Sequence, residues 1–158
     1  MTKVFTNKVS QVKGFTMVKI LLVIGIIAIL AAIVIVAINP SRQFAQARNS
    51  QRESNVSTIL NAIGQNIADN KGTFTCAGVG TPITTATTSV GTASGNSNLG
   101  ACLVPTYIPA SIPFDPTGGN DADTKYDVSV DTVGRYTVCA PLHDEAALEP
   151  IDPYCLTR

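Results

Sequence analysis

The sequence is poor in charge and in the side chains that most often carry catalysis. Only 14% of its 158 residues are charged, tryptophan is absent, and His143 is the only histidine. A zinc site of the H-E-x-x-H type needs a second histidine, so that centre is excluded. The chain also lacks a G-x-S-x-G motif, a phosphate-binding glycine loop and a C-x-x-C pair. We therefore predict that the protein is not an enzyme and that His143 lies in an exposed loop.

Acidic side chains are missing from the first third of the chain. Residues 1–52 contain seven lysines or arginines and no acid, whereas residues 53–158 contain four basic and eleven acidic residues, a net of −7. A surface of that sign repels phosphate backbones, so we predict no nucleic-acid partner. Basic residues on both sides of the apolar segment described next give only a weak positive-inside signal, which favours a cytoplasmic N-terminus.

One long segment has no charge at all. Residues 20–38 are apolar throughout, apart from small residues. The hydrocarbon core of a bilayer is ~30 Å thick and needs about 20 apolar residues in a helix. Residues 15–40 are therefore predicted to form a transmembrane helix. The polar residues 1–14 that precede it have three lysines and lack the apolar core of a secretory signal.

Four cysteines all follow the apolar segment, which favours an oxidising compartment for that part of the chain. Three pairings are available to them. We favour Cys76 with Cys102 and Cys139 with Cys155, because each pair closes a local loop. Each bridge would add roughly 2–4 kcal/mol of stability. A pair of free thiols is the alternative.

A specific pattern lies where the basic leader meets the apolar segment. Gly14 ends the leader, and Phe15, Thr16, Met17 and Val18 open the segment. This junction resembles the prepilin signal of the type IV pilin family. In that family a membrane-embedded prepilin peptidase cleaves after the glycine and methylates the new N-terminal phenylalanine. The resemblance implies processing between Gly14 and Phe15. The alternative is a single-span, signal-anchored protein in which this pair is accidental.

Lys19 departs from the family pattern. Type IV pilins usually have a glutamate at the fifth mature position, where it neutralises the terminal amine of a neighbouring subunit. A cation cannot do this, because like charges repel strongly in a medium of low dielectric constant. Lys19 would then pair with an acid of another subunit, extend toward head groups or solvent, or mark a subunit that begins or caps a filament. The plainest alternative is an interfacial cation that flanks a membrane span.

The apolar segment is predicted to continue into a long helix that ends near residues 70–72. Pro40 should break this helix locally, and Gly25 is a second weak point. Beyond the break, Val56, Ile59, Leu60, Ile63 and Ile67 recur at helical spacing. We expect this stripe on an amphipathic helix over residues 41–72 to pack under a sheet. Gly72 can adopt the left-handed conformation that ends the helix.

Residues 73–158 are expected to form a small antiparallel-sheet domain. Residues 77–101 are rich in threonine, serine and glycine and are interpreted as a surface loop with one strand near residues 83–90. Residues 125–131 and 135–141 alternate apolar and polar side chains around Gly134, which predicts a hairpin. The inner-face residues would be Tyr126, Val128, Val130, Tyr136, Val138 and Ala140. The fold class is therefore α+β, with a long N-terminal helix packed on a small sheet, which is the pilin fold by resemblance.

The loop before the hairpin is dense in oxygen ligands. Its acidic side chains are Asp115, Asp121, Asp123 and Asp127. Calcium binds six to eight oxygens, and major pseudopilins of type II secretion carry a calcium site in the equivalent loop. Calcium is thus the one cofactor that the sequence suggests. The alternative is a solvated acidic turn, since Lys125 interrupts the spacing of an EF-hand loop.

The resemblance implies a structural subunit of a type IV pilus, which assembles through its apolar helix into a homo-oligomeric helical filament. Its other partners would be the prepilin peptidase and the inner-membrane assembly machinery. The subunit would reside in the inner membrane before assembly and in an extracellular filament afterwards. One alternative is a type II secretion pseudopilin. Another is a minor or tip pilin, or a membrane-tethered protein that binds a ligand through residues 77–101.

Overall fold

The computed structural model describes residues 16–76, 83–143, 145 and 153–158. Gly14, Phe15 and the start of the predicted surface loop lie outside these residues. The chain divides into two compact units, residues 1–40 and 41–158. Helices and strands follow in the order α1 (Met17–Ile38), α2 (Pro40–Asp69), β1 (Thr88–Ser89), α3 (Gly100–Leu103), β2 (Asp127–Val130), β3 (Tyr136–Ala140) and β4 (Tyr154–Thr157).

The predicted break lies at the expected place. α1 is continuous through Gly25 and ends at Ile38, and Asn39 adopts a left-handed conformation with φ of 47°. Pro40 is then the first residue of α2. Proline is well tolerated there, because its missing N–H would have no intrahelical partner. The break therefore follows from one residue that leaves helical geometry and one that restarts it.

The end of α2 also follows the prediction. α2 ends at Asp69, Gly72 has φ of 90°, and its N–H donates to the Ile67 carbonyl over 2.9 Å. This bond closes the last turn in the manner of a Schellman motif. In such a motif the left-handed cap is the residue before the donor, which is Lys71 with φ of 59°. The predicted cap at Gly72 was therefore one residue too late.

The sheet is an antiparallel meander with the order β1-β2-β3-β4. Val128 of β2 lies opposite Val138 of β3, and Val138 lies opposite Leu156 of β4. The predicted hairpin is thus confirmed, with Tyr126, Val128 and Val138 fully buried. β4 was not predicted, because a four-residue strand at the end of the chain has too few positions to show alternation.

The stripe on α2 forms one wall of the hydrophobic core. Val56, Ile59 and Ile63 are fully buried, Leu60 nearly so, and Ile67 packs at the edge. The same core contains Val128 and Val138 of the sheet, as the sequence predicts. Its buried members are Val56, Ile59, Leu60, Ala62, Ile63, Val90, Leu99, Leu103, Ile108, Ile112, Tyr126, Val128, Val138 and Ala140.

The prediction of a surface loop over residues 77–101 was wrong for its second half. Val90, Ser97 and Leu99 are buried, and Leu99 leads into the short helix α3, whose Leu103 is also buried. Threonines and glycines lower the average hydropathy of this segment. Its few aliphatic side chains nevertheless supply a substantial part of the core, because the short strands cannot cover α2 alone.

Candidate functional site

The surface of α1 is apolar on all sides. None of its 22 residues is buried, and sixteen large apolar side chains are exposed by 46% or more. Among the described residues, α1 is the one helix long and apolar enough to cross a membrane. Such a helix at this position can act as a membrane anchor or as a signal sequence.

The sequence-predicted assembly residues lie at three separate places. Lys19 is in the first turn of α1, and its backbone N–H donates to the Thr16 carbonyl over 2.9 Å. Gly25 lies further along α1, where an added Cβ would meet no atom of the unit within 4 Å. Pro40 begins α2. Gly14 and Phe15, the predicted processing residues, are outside the described residues.

A polar network that the sequence did not predict occupies the first half of α2. Its members are Arg48, Asn49, Arg52 and Asn55 of α2, with Asp115, Thr117, Tyr126 and Glu145. We call this set the polar clamp. It lies on the face of α2 that continues the apolar stripe, since Arg52 is four residues before Val56. An arginine at that position could have signalled a buried ion pair.

Arg52 is the centre of the polar clamp. Its side chain is 1% exposed, and its Nε donates to Asp115 Oδ2 over 2.6 Å. Its Nη1 donates to Glu145 Oε1 over 2.5 Å and to Asn49 Oδ1 over 2.7 Å. A planar guanidinium suits such a site, because its donors point in fixed directions toward several acceptors.

The charged side chains of the polar clamp stabilise one another's ionised forms. Burial alone would raise the pKa of Asp115, but hydrogen bonds from Arg52 and Thr117 lower it below its usual value. Burial likewise disfavours the charged form of Arg52, and its bonds to Asp115 and Glu145 overcome this and raise its pKa. Removing one partner would leave a buried charge without compensation, which typically costs about 3–5 kcal/mol.

Glu145 joins the polar clamp from the C-terminal part of the chain. Arg48 donates to both of its carboxylate oxygens, and Arg52 adds a third bond. The hydrogen bond from Arg48 is the main reason that the pKa of Glu145 falls to about 2. The result is one carboxylate held by two arginines one turn apart on α2.

Asn55 extends the polar clamp toward the core. Its amide nitrogen donates to the Tyr126 hydroxyl over 2.9 Å and to the Phe114 carbonyl over 3.3 Å. Burial raises the pKa of Tyr126, so its hydroxyl stays protonated at neutral pH. Residues 48–55 therefore fix α2 to the rest of its unit through polar contacts, and residues 56–67 do so through apolar ones.

Both predicted disulfides are present. Cys76 pairs with Cys102, and Cys139 pairs with Cys155. Cys139 and Cys155 lie directly opposite each other on β3 and β4. The Cys139–Cys155 bridge therefore links β4 to the hairpin. The Cys76–Cys102 bridge links the segment that follows α2 to α3.

The structure separates the four aspartates suggested for calcium. Asp115 is bound to Arg52, Asp123 accepts from Lys125 Nζ over 2.5 Å, and Asp127 accepts from Ser89 Oγ over 2.8 Å. Asp121 lies on the rim of a cleft elsewhere in the unit. Across residues 16–76, 83–143, 145 and 153–158, no group of three or more His, Cys, Asp or Glu side chains could hold a metal ion.

The prediction of an exposed His143 was wrong. His143 ends a single 3₁₀ turn, Pro141–His143, and is 5% exposed. Its ring stacks on Tyr154 at 5.3 Å, and Nε2 lies 3.2 Å from Glu53 Oε1. Nδ1 is buried and accepts no hydrogen bond from the described residues. The burial follows from β4, which the sequence did not reveal and which brings Tyr154 to this position.

No family model, curated protein or solved structure matches this chain. A functional assignment therefore depends on the residues and geometry described above.

Proposed function

We propose that this protein is a filament subunit of the type IV pilin class, anchored in the membrane and then assembled through α1. The observation that carries the proposal is a helix of 22 residues, none of them buried, that is apolar on every side beyond Lys19 in its first turn. A surface of this kind is unstable in water, because burying apolar area is worth about 25 cal/mol per Å². Lipid, or copies of the same helix, would cover it.

The junction before α1 supports a pilin rather than an ordinary anchor. Gly14 ends a leader with three lysines. Phe15 comes next, and only Thr16 separates it from the apolar helix. Cleavage between Gly14 and Phe15 would free Phe15 and retain the whole of α1. An ordinary signal peptide would instead lose its apolar segment on cleavage. Under this proposal the apolar helix belongs to the working protein.

The second unit supports an extracytoplasmic location and the pilin fold. It combines a long helix, α2, with a four-stranded antiparallel sheet. Its two disulfides suit an oxidising environment. Under the proposal this unit is displayed on the filament, and its net negative charge faces solvent.

Lys19 favours a second candidate, a subunit that begins or caps the filament. In a repeating subunit, each copy would place a lysine where the family has an acid, and no acid of this chain precedes Glu53. A capping subunit needs a neighbour on one side only, so it would avoid most of this repulsion. The two candidates differ in abundance, because a repeating subunit dominates a filament and a cap is rare in it.

Intact mass spectrometry of filaments sheared from cells tests the proposal. We expect a species that starts at an N-methylated Phe15 and gains about four hydrogens on reduction, as two disulfides require. A dominant species of this mass supports the repeating subunit, and a trace species supports the cap. A chain found only in membranes with residues 1–14 attached would contradict both and leave a tethered single-span protein.

Gly14→Val provides the matched test of processing. A β-branched residue before the scissile bond should block cleavage, so the full precursor should accumulate in membranes. Gly25→Val makes the same change inside α1 and should leave the cleavage site intact. Normal processing of the Gly14→Val variant would contradict the proposal.

A further inference from the structure

A cleft in the second unit shares no lining residue with the polar clamp. It has a volume of about 370 Å³, within the lower range of small-molecule sites. Aliphatic side chains form much of its wall, and none of the described residues that line it is aromatic. The aliphatic lining residues are Val90, Ala101, Val104, Ala110 and Ile112.

The walls of the cleft are held in place by backbone contacts. The Thr92 N–H donates to the Asp121 carbonyl over 2.9 Å, and the Thr124 N–H donates to the Val90 carbonyl over 2.9 Å. Gly91 lies so close to the neighbouring segment that an added Cβ would be 2.2 Å from the Ala122 carbonyl oxygen. The cleft is therefore preformed, so a ligand would not need to order it.

Among the described residues that line this cleft, Asp121 is the one acidic residue. Within the part of the chain that the structure describes, its carboxylate makes no ion pair or hydrogen bond. The other four aspartates of residues 115–131 each have a partner: Asp115 with Arg52, Asp123 with Lys125, Asp127 with Ser89 and Asp131 with Arg135. Asp121 is thus available to a cation at the rim of an aliphatic cleft.

We propose that this cleft binds a primary alkylammonium group, with the alkyl chain between the aliphatic walls and the ammonium on Asp121. A charge-assisted hydrogen bond would orient the ligand, and Asn98 and Ser111 offer further polar contacts at the lining. Quaternary ammonium ligands are disfavoured, because their sites use aromatic walls. This proposal does not rest on the proposed filament function.

Titration of the full chain with n-pentylamine tests this proposal. The protein, methyl-labelled at valine, isoleucine and alanine, is held in nanodiscs of zwitterionic lipid and followed by NMR. We expect saturable shifts at Val90, Val104 and Ile112, with affinity about threefold above that for 1-pentanol, because Asp121 is exposed and solvent screens such a charge pair. Equal affinity for the alcohol, or no saturable shift, would overturn the proposal.

Two aspartate variants separate the rim carboxylate from general surface charge. Asp121→Asn should reduce amine affinity about threefold and leave alcohol affinity unchanged. Asp123→Asn removes the same charge two residues away, where it pairs with Lys125, and should retain amine binding. Equal losses in both variants would show that only the net charge attracts the amine and would overturn the site.

A steric variant gives a second test of the cleft in case Asp121→Asn does not fold. Ala101 is an exposed residue of α3 that lines the cleft, and Ala101→Leu should narrow the cleft and keep helix propensity. Amine binding should weaken while methyl signals of the α2 core remain in place. Undiminished binding to this variant would contradict the assignment.

Two peptides distinguish the sources of the alkylammonium group. Acetyl-Ala-Lys-Ala-amide presents it as a lysine side chain, and the norleucine analogue lacks the charge. Tighter binding of the lysine peptide than of n-pentylamine would identify a polypeptide partner, whereas binding of the free amine alone would identify a small molecule. Equal binding of the norleucine and lysine peptides would overturn the role of Asp121.

Discussion

The two long helices of this protein differ in how many of their residues are buried. α1 has 22 residues and buries none of them, whereas α2 has 30 residues and buries ten. The more apolar helix is thus the exposed one. Burial in α2 includes three asparagines and Arg52, alongside aliphatic residues. Apolar content alone therefore does not indicate which helix forms a core within its own chain.

The difference comes from how apolar side chains are distributed around each helix. α2 concentrates them in one stripe, which the sheet covers together with aliphatic side chains such as Val90, Leu99 and Leu103. α1 has them on every side, and one small domain has no surface that could enclose such a helix. Under the proposed function, lipid or copies of the same helix surround α1.

The strongest test of this comparison removes the polar anchor of α2. Arg52→Ala would leave the buried carboxylate of Asp115 without its cation and remove one of the two arginines that hold Glu145. We expect a loss of about 3–5 kcal/mol in the free energy of unfolding. Urea unfolding of the full chain in detergent, followed by near-UV circular dichroism, measures it. Arg42→Ala, at an exposed position of the same helix, should change stability by less than about 0.5 kcal/mol. Similar stabilities of the two variants would contradict the role of the polar clamp.

The same substitution in both helices tests which of them contributes to the core of the second unit. Ile63→Ala removes a fully buried side chain of α2 and should lower the free energy of unfolding of the second unit by about 2–5 kcal/mol. Ile29→Ala changes a side chain of α1 that is 65% exposed and should leave that unfolding transition unchanged. Its effect should instead appear in filament yield. An Ile29→Ala variant that destabilises the second unit would show that α1 contributes to its core.

Acidification should weaken α2 packing through Glu145. The pKa of Glu145 is lowered to about 2 in the folded protein, so the unfolded chain binds its proton first as pH falls. The stabilisation is therefore present at neutral pH and is lost between about pH 4.5 and pH 2. We expect about 1–2 kcal/mol from this carboxylate, after allowing for partial screening by solvent. Urea midpoints at pH 7, 4 and 3 provide the measurement.

Glu145→Gln is the control for that acid dependence. The variant should be less stable than the parent at pH 7, and the difference should shrink as pH falls. Asp123 and Asp131 also have lowered pKa values, so the difference between the two proteins is the relevant quantity. A difference that stays constant from pH 7 to pH 3 would exclude a contribution from Glu145 ionisation.

The smallest expected effect on folding concerns Lys19. Lys19→Glu should leave membrane insertion and the stability of the second unit unchanged and should alter filament yield. Quantitative immunoblotting of sheared and membrane fractions measures this. Lys19→Gln separates loss of the positive charge from gain of a negative one. Unchanged yield in both variants would mean that position 19 has no electrostatic role in assembly.

Local patterns predicted much of this fold. The apolar segment, the break beside Pro40, the stripe from Val56 to Ile67 and the hairpin around Gly134 are all present. Each depends on residues close together in sequence, where periodicity and turn chemistry report backbone geometry directly. The favoured cysteine pairing was also correct, since both bridges close short loops of 26 and 16 residues.

The polar clamp could not be predicted in the same way. Arg52 and Asp115 are 63 residues apart, and Arg48 and Glu145 are 97 apart. In the sequence, Asp115 is part of an acidic loop suggested for calcium, and no neighbouring residue marks it as the partner of an arginine. His143 shows the same limit, because its burial depends on Tyr154 of the unpredicted strand β4.

Local side-chain patterns were enough to locate the apolar segment, the helix break and the apolar face of α2. These properties follow from side-chain chemistry at fixed helical spacing. Long-range packing, in contrast, sets the burial of Arg52, the position of Asp121 at the cleft, and the burial of Val90 and Leu99 in the core. Those outcomes depend on which distant segments come into contact, because the free energy of each contact depends on both residues that form it.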